Sequence, residues 1–458
     1  MDDYAGVDSS IAAQMPRWTA ELIEFCSIPS EGGDRDALRT AQLWVSARLE
    51  RLGCSVEVIG VDGAPSLVVA EIGDGPTVTC VQHYDVQPAA PLDLWLSPPY
   101  EPAVRDGRLI ARGAEDNKGE FLARVWGLEA YLAAFGRLPC RVRFLVEGEE
   151  ELGSPHLAGY LDRRPELRVA DGALMEGGGV DDEGRPIVQC GIRGMLVAEL
   201  AVRTIAHDAH SSFAALLPNA AIRMSQAIAS LFDAEGRPSF DGLLDGIVPP
   251  TPEQIALVDA LPDQLADSLL HAFEIERFVA GRKGSAAKRA AILEPTCNVS
   301  GLWSGYIAPG IMTITPAEAH ARIDIRLVPD QDPDSVLVRL REHLESHGFG
   351  DVAVKTRNWG TRAYWSPSDA PIVLSAVRAA ESVWGKRPSI LVTDPGTAPM
   401  WDVCAEHGVA QADFGAATPA SRAHAPNENI RLDHAEKVAR TMVRFLDQVA
   451  ASVRLTPS

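Results

Sequence analysis

The sequence is short of three things: paired cysteines, long apolar runs and positive charge. Its seven cysteines (Cys26, Cys54, Cys80, Cys140, Cys190, Cys297 and Cys404) stand singly, without a C-x-x-C pair. An odd, scattered set in a long chain reads as reduced, buried thiols in a cytoplasm rather than as a disulfide framework. No stretch approaches the roughly 20 apolar residues needed to span a bilayer. Met1 to Phe25 carries acids at Asp2, Asp3 and Asp8 and no continuous apolar core, which is not the pattern of a secretory leader. Lys plus Arg number 42 against 63 Asp plus Glu, for a formal net charge of −21. Nucleic acid and anionic membrane surfaces repel such a chain, so neither is expected as a partner. Internal repeats and low-complexity tracts are missing too.

What remains is ordinary globular material. Apolar residues make up 46% of the 458 positions and charged residues 23%, which excludes fibrous, collagen-like and wholly disordered chains. The length predicts two compact domains.

Along the chain, Asp34 to Leu52 has apolar residues at helical spacing with Gly53 as a stop. Short β-branched runs follow at Ser55–Ile59, Ser66–Ile72 and Thr77–Val81, then a helical Lys118–Phe135 and a strand-like Arg141–Val146. This alternation predicts an α/β fold with a central, mostly parallel sheet flanked by helices. After about Arg193 the texture changes to an α+β unit, with a strand at Met195–Val202, a helix at Asn219–Phe232, a strand at Ala319–Val328 and a helix at Pro333–His347. The α/β pattern resumes from Ser366. The reading is therefore one α/β domain in two segments, 1–193 and 363–458, interrupted by an inserted α+β domain over 194–362. The basic stretch Arg282–Arg289 reads as a solvated face.

Polar clusters stand at or just beyond the ends of the strand candidates. His83 and Asp85 follow Thr77–Val81; Glu147, Glu149, Glu150 and Glu151 follow Arg141–Val146; Glu176 follows Gly172–Met175; and His424 follows Ala410–Phe414. Asp116 sits in a Gly-flanked turn that leads into a helix. In open α/β sheets ligands bind beyond the carboxyl ends of strands, so these groups are expected to form one site. Each has a bland alternative: His83-Tyr-Asp85 as a local turn, the Glu147–Glu151 run as a solvated acidic face. Adjacent Glu150 and Glu151 in one pocket cannot easily both stay ionised without a cation, and a divalent metal resolves that conflict. Two imidazoles with several carboxylates suit Zn²⁺ or Mn²⁺ better than Mg²⁺. The inventory supplies a His and a terminal carboxylate for each of two metals, one bridging carboxylate and one base.

These residues fall in segments that match a known family in order. Gln82-His-Tyr-Asp-Val-Gln-Pro88, Trp95-Leu-Ser-Pro-Pro-Tyr100, Arg112-Gly-Ala-Glu-Asp-Asn-Lys-Gly119, Glu147-Gly-Glu-Glu-Glu-Leu-Gly-Ser154 and Ala423-His-Ala-Pro-Asn-Glu428 together resemble the M20 metallopeptidases, in particular the carnosinase-like dipeptidase branch. The resemblance implies a homodimer in which the inserted domain serves as lid and dimerisation module. It makes Asp116 the bridging ligand, with His83 and Glu176 on one metal and Glu151 and His424 on the other. Glu150 becomes the general base and Asp85 the group that orients His83. In Asp208-Ala-His-Ser-Ser212, His210 corresponds to the lid histidine that reaches a neighbouring subunit's site and stabilises an oxyanion. Arg326 matches the binder of the substrate's terminal carboxylate, with Thr313 and Thr397 in supporting positions.

Three positions depart from the family pattern. Gln82 replaces a Gly before the histidine, Glu176 replaces the Asp usual in the dipeptidase branch, and Ser212 replaces a Gly of the lid motif. The expected activity is dinuclear metal-dependent hydrolysis, by a metal-bridging water, of an amide bond next to a free carboxylate in a dipeptide. The alternatives are an N-acyl-amino-acid amidohydrolase and, from another class, a catalytically silent binding protein on the same fold.

Overall fold

The computed structural model describes residues 4–61, 63–263, 269–271 and 273–453, so Asp2 and Asp3 lie outside the described residues. They form two compact units. The first comprises Met1–Gly191, Trp365–Asp394 and Ala398–Ser458; the second comprises Ile192–Tyr364 and Pro395–Thr397.

The first unit is built on a five-stranded sheet in the spatial order Ser55–Ile59, Leu67–Ile72, Arg141–Glu147, Thr77–His83, Gly172–Leu174. It is a mixed α/β sheet. Arg141–Glu147 and Gly172–Leu174 run parallel to Thr77–His83, while the Leu67–Ile72 side is antiparallel. The parallel strands are buried along nearly their whole length, as their apolar runs require. In register, His83 lies opposite Glu147, so both strands end at the same level. All polar residues just beyond those ends therefore emerge at one edge.

Helices cover the sheet where the periodicity predicts them. Arg35–Leu52 starts at Asp34, whose carboxylate accepts from Ala37 N at 3.1 Å, and stops at Gly53, which is left-handed at φ 99°. Lys118–Phe135 is buried around most of its circumference and packs against Tyr4–Cys26 and Leu432–Val453. Trp18 and Trp126 stack at 5.4 Å in that core. All seven cysteines are buried and unpaired.

The second unit has a four-stranded antiparallel path in the order Thr296–Ser304, Glu318–Leu327, Gly191–Arg203, Ala353–Thr361. Glu318–Leu327 alternates buried and half-exposed residues, the pattern of a sheet with one covered face. Ala220–Ser230, capped by Asn219, and Pro333–Ser346, capped by Asp332, supply Met224, Leu337 and Leu340 to that core with Ile323 and Ile325. The short strand Asp394–Thr397 pairs with Gly191–Arg203, which places Thr397 in this unit.

The basic stretch is a solvated face at Lys283 and Arg289, which are exposed, but not at Lys288. Lys288 is buried and donates to the carbonyls of Asp259 and Leu261, and Arg289 and Arg282 pair with Asp259 and Glu294. The helix Pro252–Ala260 packs on Gly284–Leu293, where Lys288 is buried. Among the described residues no helix is long and apolar enough to cross a membrane.

Candidate metal centre

Each functional side chain of the first unit is placed by a strand end or a tight turn. His83 is the last residue of its strand. Glu150 and Glu151 form a single 3₁₀ turn, Glu150–Leu152, closed by left-handed Gly153 at φ 83°. Asp116 lies in the turn before Lys118–Phe135, and the Asp116–Asn117 peptide is cis. Gly119 permits that turn. A Cβ there would sit 2.1 Å from the Ala114 carbonyl oxygen, closer than any side chain allows.

The geometry brings the sequence-derived residues of this unit together. His83 Nδ1 lies 3.0 Å from the Asp85 carbonyl oxygen and 3.3 Å from Asp85 Oδ1. The network thus assigns the proton to Nδ1 and leaves Nε2 free for coordination. Nε2 faces Glu176 Oε2 at 3.0 Å and Asp116 Oδ1 at 3.2 Å. On the other side His424 Nε2 faces Asp116 Oδ2 at 2.8 Å and Glu151 Oε2 at 3.2 Å. The two oxygens of Asp116 are thus divided between two sets of donors. Ligand atoms of His83, Glu150 and Glu176 lie within 4.8 Å of one another, as do those of Asp116, Glu151 and His424.

Asp85 has a second task. Its carboxylate accepts the backbone N–H groups of Glu150 at 3.3 Å and Glu151 at 3.0 Å, so it ties the His83 loop to the glutamate turn.

The electrostatics without cations are frustrated. Burial, then the neighbouring acids Glu176, Glu151 and Asp116, push the Glu150 carboxyl well above the usual range against the pull of His83. Burial raises Glu176 to about 7. Burial also pushes Asp116 upward, but the neighbouring imidazoles of His424 and His83 outweigh it and hold that carboxyl below the ordinary range. Hydrogen bonds to Asp116 and Glu151 raise His424 to about 11. Asp116 Oδ1 is buried and has no hydrogen bond, although His83 Nε2 lies 3.2 Å away. An orphaned carboxylate oxygen amid imidazole nitrogens and crowded acids fits divalent cations, which supply the missing positive charge.

The remaining candidates lie in the second unit. His210 is exposed, with Nδ1 2.9 Å from Ser212 Oγ and accepting Ser212 N at 3.1 Å. Ser212, a departure from the family motif, therefore engages Nδ1 and leaves Nε2 as the outward donor. Arg326 Nη1 donates to Thr397 Oγ1 at 2.5 Å, bringing those two together across the chain. Thr313 belongs to the other end of the set, where its carbonyl accepts Ser211 N beside His210.

Two residues escape a sequence reading. Gln87 holds both Glu151 oxygens, through its backbone N at 3.1 Å and Nε2 at 2.8 Å. Glu428 is buried and accepts from Arg112 and from three backbone amides of the Asp116 turn. Both stand inside the matched motifs, and that placement is the only signal in the sequence. His343 is buried and satisfied, accepting Asp241 N at 3.0 Å and facing the Ser230 carbonyl at 3.0 Å, which is a structural role.

Comparison with known proteins agrees with this architecture. The profile of peptidase family M20/M25/M40 matches residues 81–448. Human Beta-Ala-His dipeptidase is 26% identical over 410 residues, covering 87% of this chain and 79% of that protein. The Cysteinylglycine-S-conjugate dipeptidase of Corynebacterium striatum is 26% identical over 457 residues, covering 93% of each. Among solved structures, the M20 family metallo-carboxypeptidase Sso-CP2 of Sulfolobus solfataricus superposes with a TM-score of 0.89 at 31% identity, covering 95% of this chain and 99% of that one. With the family profile spanning most of its length and the cluster of His and carboxylate side chains at the strand ends, the chain belongs to the M20 metallopeptidases and groups with their dipeptidase branch.

Proposed function

We propose that this protein is a dinuclear metal-dependent dipeptidase that cleaves the amide bond next to a free carboxylate. The observation that carries the reading is Asp116, whose two oxygens face His83 on one side and His424 on the other. His83 and Glu176 would hold one cation, Glu151 and His424 the other, with Asp116 between them. Zn²⁺ is the first choice for this N/O donor set and Mn²⁺ the second. Such a pair, when bound, supplies charge to polarise a carbonyl and to acidify water.

The chain's own residues do the rest. Glu150 accepts a proton from the attacking water and delivers it to the amine as the C–N bond breaks and the C–O bond forms. It is half-buried and lies within ligand range of His83 and Glu176. Asp85 keeps the His83 ring in register. Arg326, held by Thr397, offers a guanidinium to the substrate's terminal carboxylate, and Thr313 is a further polar group beside the lid motif. His210, with Nε2 turned outward, donates to the oxyanion of a second copy's substrate in a homodimer. Seven buried, unpaired thiols support a reducing, cytoplasmic setting.

One observation favours a second substrate class: Glu176, with the Sso-CP2 likeness, points toward the carboxypeptidase and deacylase branches. A single panel decides. Protein loaded with Zn²⁺ or Mn²⁺ is incubated with unblocked dipeptides, tripeptides and N-acetyl amino acids, and products are quantified by chromatography. Preferential cleavage of dipeptides is expected. Preference for N-acetyl amino acids would transfer the assignment to the deacylases, and no cleavage of any of them would leave the silent binding protein.

A further inference from the structure

We infer that Glu428 is a positioning residue that locks the bridging carboxylate and the second histidine into one rigid unit. The inference rests on the dinuclear reading above. Glu428 is 0% exposed and lies in the same loop as His424. Its Oε2 accepts from Arg112 Nη1 at 2.7 Å and from Gly113 N at 3.1 Å. Its Oε1 accepts from Glu115 N and from Asp116 N, both at 3.0 Å.

Those backbone groups belong to the turn that carries Asp116. The amides of Gly113, Glu115 and Asp116 find their acceptor in Glu428 rather than within the turn itself. Glu428 supplies two oxygens to four donors, so every acceptor lobe facing the turn is used. The contact closes a ring. Asp116 N reaches Glu428, Asp116 Oδ2 reaches His424 Nε2, and the short segment from His424 to Glu428 joins the two.

That segment is itself held in an uncommon shape. Arg422, His424 and Asn427 are non-glycine residues with φ of 57°, 61° and 66°. Left-handed conformations at such residues persist only where surrounding contacts over-determine them. Glu428 is one such contact. Asn427 is another, donating to the Leu94 carbonyl and accepting Leu96 N. Arg112 offsets the buried charge, lying 1% exposed and over the Trp95 ring at 5.4 Å.

The test is Glu428→Gln, which keeps the size but turns an amide NH₂ toward backbone N–H groups. Metal-free wild-type and variant proteins are titrated with Co²⁺, followed by visible absorption and by metal analysis. Wild type is expected to take up two Co²⁺. The variant is expected to bind them about 10- to 100-fold more weakly, with an altered d–d spectrum, as loss of a supporting group around metal ligands does. A folded variant with wild-type affinity, stoichiometry and spectrum overturns the inference, even if its thermal stability is lower. If the Gln variant does not fold, Glu428→Asp, which keeps the charge beside Arg112, is read by the same criteria. Amide hydrogen exchange in metal-free wild-type protein gives a check that needs no variant: slow exchange at 113–116 is expected, and exchange at the rate of an open loop would overturn the clamp. Should wild type itself bind a single Co²⁺, the dinuclear reading falls, and the clamp is judged on that one ion by the same comparison.

Discussion

His424 Nε2 stands 2.8 Å from Asp116 Oδ2, although the whole inserted unit separates the two residues in the chain. The other Asp116 oxygen lies 3.2 Å from His83 Nε2, so one side chain serves both halves of the cluster. A carboxylate so placed makes the neighbouring acids interdependent, and the variants below separate their roles.

Glu150 is within ligand range of His83 and Glu176, yet its proposed work is proton transfer. Glu150→Gln is expected to lower kcat by about 10²- to 10⁴-fold, the usual contribution of a positioned acid–base group, with metal content unchanged. Steady-state kinetics and elemental analysis on the same sample check both halves. Loss of metal with loss of rate would make Glu150 a ligand rather than the base.

Arg326→Ala removes a guanidinium held by Thr397. A hydrogen bond to a charged group contributes about 1.5–3 kcal/mol, which corresponds to roughly a 10- to 100-fold rise in KM. Dipeptide amides lack the terminal carboxylate and should be handled equally poorly by wild type and variant. A rise in KM of the same size for the amide would remove Arg326 from substrate binding.

Gly119→Ala tests the turn under Asp116. The added methyl would meet the Ala114 carbonyl oxygen at 2.1 Å and Ile430 Cδ1 at 2.8 Å, and the first of these is backbone that cannot swing aside. Overpacking of this kind costs about 1–3 kcal/mol or more. Denaturant unfolding of the metal-free protein should show that loss, and metal content should fall because the turn carries Asp116, the proposed bridge. Wild-type stability and metal content together would mean the turn can relax.

His343 gives a pH dependence far from the metal ligands. Burial, then the neighbouring His347, holds its imidazole below the ordinary value of 6.5, against the opposing pull of Asp241. The sign follows. Above pH 6.5 both folded and unfolded chains carry a neutral imidazole, and its contribution to stability is complete. As pH falls through 6.5 the unfolded chain takes up the proton first, so stability declines until the folded-state value is passed. Between pH 7.5 and 5.5 the wild-type Tm should fall further than that of His343→Gln. Equal falls would show that His343 does not titrate differently on unfolding.

The catalytic-domain pattern was legible because it is local. Short β-branched and apolar runs marked Thr77–His83 and Arg141–Glu147 closely, a helical stretch was read at Lys118–Phe135, and the capping pair Asp34 and Gly53 marked a helix's ends. The supporting residues were not legible in the same way. Gln87 reads as any polar loop residue, and Glu428 as any loop acid, until the Glu151 carboxylate that Gln87 donates to and the turn amides that Glu428 accepts from are brought alongside. Lys288 misled for the converse reason: a run of basic residues signals solvent unless a partner helix covers it.

What the sequence by itself determined is which acids and imidazoles stand beyond strand ends, since strand ends follow from side-chain periodicity and turn residues within a few positions of each group. The tertiary structure alone decided how they share their protons and donors. It set Asp116 between two histidines, gave Asp85 the amides of the glutamate turn, and placed Thr313 by the lid motif and Thr397 by Arg326. Those pairings join residues far apart in the chain. Their energies depend on burial and on distances of about 3 Å, which only the packed fold brings about.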